Sequence, residues 1–496
     1  MSPALVAQLA VLTPLVGAVL IALSHRRPNQ REAVTLITAG ILFLLVLSLL
    51  PEVLAGARPR ALLAEPIPGL PLALEVEPLG MLFALVASAL WIVTSLYSIG
   101  YMRGHDEAHQ TRFYVYFAIA LAATIGVAFA ANMVTLFVFY EALTLSTYPL
   151  VTHHGGDEAK RAGRLYLGIL LGTSIGLQLL AIVWTYQLAG TLDFTPGGIL
   201  RDKAPAGVLG ALFVLYVLGT GKAALMPLHR WLPAAMVAPT PVSALLHAVA
   251  VVKAGVFTVL KISVYLFGPE LLAETATSGW LLYLAAATIL IASLVALTKD
   301  NLKLRLAYST ISQLSYVLLG ALLGNTLAIV GGGLHIAMHA FAKITLFFCA
   351  GAIAVATHKT EISQMDGIGR RMPWTMGAFA IVSLSMIGLP PTAGFVSKWY
   401  LLRGAIEAEH MVAVAVIVVS TLLNAAYFLP VVFVAFFRPA QEDNLLAAGD
   451  HSARGRGEAP LLMVSALIAT AFGTVVLFFF PGALLELAHQ IVGDAR

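Results

Sequence analysis

Long apolar blocks, each big enough to cross a membrane, alternate with short polar loops along this chain. About twenty helical residues at a 1.5 Å rise span a hydrocarbon core of about 30 Å. Such blocks fall near residues 3–24, 33–55, 79–99, 113–131, 133–152, 163–188, 207–228, 241–267, 279–298, 304–323, 329–356, 375–403, 411–437 and 460–491. The pattern predicts fourteen transmembrane spans. Between the second and third spans, GARPRALLAEPIPGLPLALEVEP holds too many prolines for a helix and reads as extended or hairpin chain at one surface.

Two spans are interrupted. The seventh reads GTGKAALMPLHRWLP, with Pro227 five residues after Lys222, about four turns into the helix. The twelfth reads SMIGLPPTAGFVSKW, with Pro390 and Pro391 ahead of Lys398. A mid-helix proline removes a donor and frees a carbonyl. Broken backbone is tolerated at membrane depth only where protein or water covers it. The breaks lie five spans apart, which suggests a repeat of spans 4–8 and 9–13. An odd offset turns the second copy upside down, as in many transporters. The expected organisation is one transmembrane domain over 1–496, with the first three spans in 1–112, repeats at 113–267 and 279–437, and a last helix at 460–491.

Composition agrees with a chain built of membrane helices. It is 59% hydrophobic and 11% charged, with mean hydropathy +0.90, where a soluble domain carries about 25% charged residues. The longest polar stretch, Arg438 to Glu458, is too short to bury a core of its own. The reading is an all-α integral membrane protein. The first apolar block lacks a basic leader and a clear cleavage site, so it is expected to be a retained helix.

The net charge of +4 is spread over short loops and does not suggest nucleic acid. If the loops after odd-numbered spans are cytoplasmic, they hold 18 Lys and Arg against 6 on the other side. That bias supports fourteen spans with both ends outside. The 18 include Arg454 and Arg456, and the 6 include Arg496. The single cysteine, Cys349, excludes an internal disulfide and any all-cysteine iron–sulfur or zinc site. With neither a Walker motif nor a Gly-x-Gly-x-x-Gly turn, no nucleotide hydrolysis and no cofactor is expected.

Against this background the buried charges stand out. Glu141, in MVTLFVFYEALTLSTYPLV, is the one carboxylate well inside an apolar block. It follows the turn at Asn132 by nine residues, about 13 Å along a helix and close to the bilayer centre. Five lysines share its situation: Lys222, Lys253, Lys261, Lys343 and Lys398. An ionised side chain at mid-membrane costs about 2.5 to 3.5 kcal/mol on insertion scales, so such groups mark pathways or relays. One acid among several amines suggests a proton wire.

A Glu141–Lys222 pair in low dielectric would exist charged or neutral at small net cost and switch with its neighbours. The alternative is a static bridge between two helices. The eighth span opens with APTPVSALLHAVAVVKAGV, Thr240 and Pro241 resembling the cap and first residue of a helix. Lys253 is then about 18 Å into it. His247, six residues earlier, is off the Lys253 face and stands as either a titrating or a packing residue. Lys261, near the outer end, is expected to snorkel.

The eleventh span carries His335, His339 and Lys343 at intervals of four, one polar stripe over two turns. His-x-x-x-His is a metal-ligand spacing, but no carboxylate or thiol within reach completes a site, so no metal is expected. A proton or water path is preferred over a hydrogen-bonding seam. Lys398 suits proton release at the far end of the series; the alternative is an amine snorkelling beside Trp399 and Tyr400. His153 and His154, beside Asp157 and Glu158, read as solvated loop residues.

The strings LYSIGYM, TLFVFYEALTLSTYPLV, GKAALMPLHRWLPAAMVAPTPVSALLHAVAVVKAGVF, HIAMHAFAKITLFFCAGAI and LSMIGLPPTAGFVSKW resemble the antiporter-like subunits. That family is shared by respiratory complex I and the Mrp-type multisubunit sodium/proton antiporters. The resemblance covers almost the whole chain. It implies a fourteen-helix fold with inverted repeats and broken helices 7 and 12. It also implies functional roles for Glu141, Lys222, Lys253 and Lys398, assisted by the histidines of spans 8 and 11. LLNAAYFLPVVFVAFF, a lysine rather than a glutamate at Lys398, and an end soon after span 14 point to the D-type branch of the Mrp antiporter subunits. Lys261 is a mild departure from the basic residue usual near the end of span 8.

The expectation is therefore a proton-conducting component, of the Mrp D type, in a cation/proton antiporter of a bacterial inner membrane, not an enzyme in its own right. Its partners would be the A, B, C, E, F and G members of an Mrp-type complex, with protons, sodium and lipid. The first competitor is a proton-pumping subunit of a redox-driven, complex I-like or hydrogenase-type complex. A single-chain solute carrier is disfavoured, because it would concentrate buried charge at one central site. A structural subunit with a disused wire is the remaining alternative.

Overall fold

The computed structural model describes residues 1–439 and 457–493. Arg454, Arg456 and Arg496, counted among the loop charges, lie outside the described residues. Helices dominate, and three of the first eight start on side-chain caps. Ser2, Glu77 and Asn132 cap α1 (Pro3–Leu23), α3 (Pro78–Gly104) and α5 (Met133–Val151) with their side chains. The others are α2 (Pro28–Leu54), α4 (Gln110–Ala128), α6 (Asp157–Ala189), α7 (Ala206–Gly219) and α8 (Thr240–Phe267). Between α2 and α3 the proline-rich segment forms a hairpin of β1 (Arg60–Ile67) and β2 (Leu70–Glu75), with Arg60 opposite Glu75.

The second half holds α9 (Ala276–Thr298), α10 (Leu302–Leu323), α11 (Thr326–Thr357), α12 (Pro373–Ile387), α13 (Ala393–Glu407), α14 (Met411–Phe437), α15 (Leu461–Phe479) and α16 (Gly482–Gln490). Among the described residues, twelve helices are long and apolar enough to cross a membrane. The shorter apolar helices α7 and α12 are the starts of the two spans expected to be broken.

Besides earlier starts of α2 at Pro28 and α6 at Asp157, three boundaries differ from expectation. The last helix does not run over 460–491: it stops at Phe479, and α16 begins after Pro481 as a separate piece. The seventh span does not carry Lys222 inside a helix, since α7 ends at Gly219 and Lys222 lies in the irregular segment that follows. At the start of α8 the cap is Pro239, with Thr240 already helical.

The core is organised around two helices. Helix α8 is buried along its whole membrane-spanning window. Helix α11 packs against α3, α8, α10, α12, α13 and α15. Helices α1 and α2 instead leave apolar side chains such as Val16, Val19, Ile37 and Leu44 facing outward, as lipid-exposed surfaces do. Both α6 and α8 contain π-turns, at Ser174–Gln178 and at Leu245–Val249, and the second of these holds His247.

Candidate ion-conducting site

The two breaks create the polar positions that hold the first and last lysines. After α7 the chain makes a turn at Gly221–Ala223 and packs against α8. Gly255 on α8 permits this approach: a Cβ there would lie 2.3 Å from the backbone nitrogen of Ala223. Lys222 is thereby buried with its Nζ donating to the Tyr140 carbonyl at 2.7 Å and to Thr144 Oγ1 at 2.5 Å. The amine also sits 3.1 Å from the centre of the Tyr140 ring.

Glu141 lies between those two partners in sequence, but it does not form the expected direct pair with Lys222. No ion pair joins them, and both Glu141 oxygens are shielded without a hydrogen-bond partner in this chain. Lys222 takes the helix backbone and a hydroxyl because the break aims its amine along α5 rather than at the carboxylate. Glu141 borders the face that carries exposed Val138 and Leu145.

At the other break the logic is plain in the sequence. In a continuous helix the carbonyls of Met386 and Ile387 would accept from the N–H groups of residues 390 and 391. Those residues are Pro390 and Pro391, which have none. Lys398 Nζ donates to both freed carbonyls, at 2.8 and 3.0 Å. Gly388 turns the chain with φ +93°, and a Cβ there would lie 2.7 Å from Lys398 Cδ. Lys398 is 5% exposed, so it does not snorkel beside Trp399.

Between the breaks, the α11 stripe is shared among three neighbouring helices. His339 Nδ1 is 2.5 Å from Lys253 Nζ on α8. Lys343 Nζ donates to Ser309 Oγ on α10 at 2.9 Å and lies 3.4 Å from the Leu306 carbonyl. His335 bonds Gln313 on α10 at 3.1 Å and Ser397 on α13 at 2.9 Å. The rings of His335 and His339 stack at 5.7 Å. His247 stands apart from Lys253, bonding Thr310 Oγ1 at 3.2 Å through Nδ1 while its Nε2 has no partner.

Lys261 corrects the snorkelling expectation. It is fully buried, 3.1 Å from Glu77 and 2.8 Å from the Ala130 carbonyl. Glu77 also caps α3 through the N–H groups of Leu79 and Gly80 and accepts from the Tyr265 hydroxyl at 3.0 Å. Sequence reasoning missed this pair because Glu77 precedes its apolar block and resembles a surface cap. It also missed Ser309, Gln313, Ser397, Asn424 and Tyr427, all buried. The signal available was the i, i+4 spacing of Ser309 and Gln313 on one helix face.

His153 and His154 are not simply solvated. His153 Nε2 meets the Ala108 carbonyl at 3.0 Å, and burial pushes its pKa down. His154 lies 3.5 Å from Glu107. Their hydrogen bond raises the His154 pKa and lowers that of Glu107.

A mostly helical membrane protein, its one described sheet the hairpin of β1 and β2, with buried bases held at two broken helices defines an ion-translocating class of subunit. The family described as NADH:quinone oxidoreductase/Mrp antiporter, transmembrane, matches residues 130–424, and the chain belongs to it. It is 36% identical to the NADH-quinone oxidoreductase subunit N of Desulforudis audaxviator, over 83% of each chain. It is 32% identical to the hydrogenase-4 component B of Escherichia coli, over 73% of this chain but only 55% of that one. Its fold matches a chain in the structure of the Mrp complex from Dietzia sp. DQ12-45-1b with a TM-score of 0.86, at 21% identity, covering 100% of this chain and 98% of that one.

Proposed function

We propose that this chain is the proton-conducting subunit of a monovalent cation/proton antiporter complex of the Mrp type, in the place of its D-type member. The observation that carries the reading is the series of buried bases on helices from both breaks, with Lys253 in hydrogen-bond contact with His339 and His335 linked to the residue preceding Lys398. Protons enter near α7 or α8, pass Lys222, Lys253, His339 and His335 by way of water, and leave near Lys398. Glu141 sets the charge state of Lys222 through space rather than by contact. Lys343 and His247 flank the route. Fourteen crossings follow if the α7 and α12–α13 segments each traverse the bilayer once. The membrane is then a bacterial inner membrane with both termini outside, and the chain carries no redox chemistry of its own.

Identity to a quinone oxidoreductase subunit favours a second reading, the same relay driven by a redox complex. The composition of the purified complex separates them: small Mrp-type subunits in one case, iron–sulfur and quinone-site subunits in the other. For the relay, Glu141→Ala and Lys222→Ala are each expected to abolish sodium-driven proton movement in proteoliposomes while the complex still assembles. Wild-type transport by either variant would sink it.

A further inference from the structure

Lys343 and His335 lie two turns apart on α11, yet a continuous buried chain of hydrogen bonds joins them through α10 and α14. It runs from Lys343 Nζ to Ser309 Oγ at 2.9 Å, and from Ser309 Oγ to the Tyr427 hydroxyl at 3.2 Å. From Tyr427 it passes to Asn424 Oδ1, which lies 3.4 Å from Gln313 Nε2. Gln313 Oε1 then meets His335 Nε2 at 3.1 Å, and His335 Nδ1 meets Ser397 Oγ at 2.9 Å. Ser309, Gln313, Ser397, Asn424 and Tyr427 are at most 1% exposed. The Tyr427 hydroxyl lies within bonding reach of both Ser309 and Asn424, but it has one proton and donates to only one at a time.

We propose that this chain is a hydrogen-bond direction switch that ties the tautomer of His335 to the charge of Lys343. A charged Lys343 only donates. Ser309 Oγ accepts from it, and the Tyr427 hydroxyl is the neighbour left to take the Ser309 proton, so in this state the hydroxyl order between the two reverses: Ser309 donates to Tyr427, and Tyr427 donates to Asn424 Oδ1. Gln313 Nε2 donates to the same oxygen, so Gln313 Oε1 faces His335 and the proton of the neutral ring sits on Nε2. His335 Nδ1 is bare and faces Ser397, next to Lys398.

A neutral Lys343 has a lone pair and accepts from Ser309 while still donating to the Leu306 carbonyl. Tyr427 then donates to Ser309. The Asn424 and Gln313 amides turn end for end, which leaves the heavy-atom positions almost unchanged. Gln313 now donates to His335 Nε2, so the ring proton moves to Nδ1. Ser397 accepts it and turns its own proton toward the Gly394 carbonyl, 3.3 Å away.

The consequence for the relay, on whose existence this switch depends, is gating. No proton passes through the amides. The nitrogen of His335 facing the Lys398 side is open to a proton only while Lys343 is charged. The other titratable groups facing His335 are His339 on its own helix, Tyr316 on α10, Lys253 on α8 and Lys398 on α13. Gln313, Asn424 and Tyr427 are positioning residues in this scheme.

The test is solid-state NMR of the whole complex in lipid, labelled with 15N-histidine, with the His335 signals assigned by their loss in His335→Gln. Lys343→Arg, a permanent donor, is expected to hold the proton on Nε2. Lys343→Met, which cannot donate to Ser309, is expected to shift it toward Nδ1. Adding Asn424→Leu to each should erase the difference. Gln313→Met in the two Lys343 backgrounds should erase it as well, and serves if the leucine variants do not assemble. The same tautomer in Lys343→Arg and Lys343→Met would overturn the switch, as would a difference that survives Asn424→Leu or Gln313→Met. The tautomer is read without transport, so loss of the switch is distinguishable from failure of the relay, which shows in the Lys222→Ala transport assay.

Discussion

Replacing Lys398 by methionine separates its proposed role in transport from its contacts in the fold. The methionine keeps the unbranched stem and removes the amine. Two carbonyls, of Met386 and Ile387, lose their donor. A buried acceptor left unmade costs about 1 to 3 kcal/mol, so the two together cost about 2 to 6 kcal/mol. Against this, the variant no longer buries an amine whose ionised form carries an effective penalty of several kcal/mol. The terms oppose one another and are of similar size, so the complex should assemble with a melting temperature close to that of the wild type. Transport should not survive. A missing acid–base group in a proton-transfer path typically costs about a hundredfold or more. The assay is proton uptake into proteoliposomes, normalised to the amount of assembled complex. A wild-type rate per complex in Lys398→Met would refute the placing of Lys398 in the pathway. A large fall in melting temperature with normal transport would recast it as a structural clasp for the α12–α13 break.

Other contacts give further expected outcomes. Removing one partner of the buried Lys261–Glu77 pair, by Lys261→Met or Glu77→Leu, should destabilise the protein by about 3 to 5 kcal/mol in a thermal unfolding assay. Replacing both together should cost less than the sum of the single changes. Gly388→Ala should cost about 1 to 2 kcal/mol from its left-handed backbone alone, with an added loss of transport because the new methyl meets the Lys398 stem. At the loop surface, the His154 pKa is raised by Glu107, so its contribution to stability is full below the unfolded histidine value and is lost as pH rises through the raised folded value. The Glu107 pKa is lowered, so its contribution is present above the unfolded carboxylate value and lost as pH falls through the depressed folded one. Melting temperatures of wild type and His154→Ala should therefore differ most between about pH 4.5 and 6.5, the ordinary values of the two groups, and converge in alkali. A difference independent of pH would sink that contact.

The sequence by itself determined the membrane class and the approximate position of nearly every helix, because twenty-residue apolar blocks are long, local signals. It also marked the second break, where Pro390 and Pro391 remove two backbone donors, but it set the first at Pro227, whereas α7 already ends at Gly219, eight residues earlier. The Lys398 cradle is almost written in the chain: Pro390 and Pro391 stand four residues after the carbonyls they free, and Gly388 supplies the turn. Partners across helices were not legible in the same way. Only packing decided that Lys222 takes Tyr140 and Thr144 and leaves Glu141 without a direct contact, because the irregular segment after α7 sets where the amine points. Only packing turned Lys261 inward, by bringing the cap of α3 beside α8, more than 180 residues away in the chain. The α11 stripe was visible as a period of four, but its division among α8, α10 and α13 was not. Periodicity fixes which face a side chain shares, and tertiary contact alone fixes what that face meets.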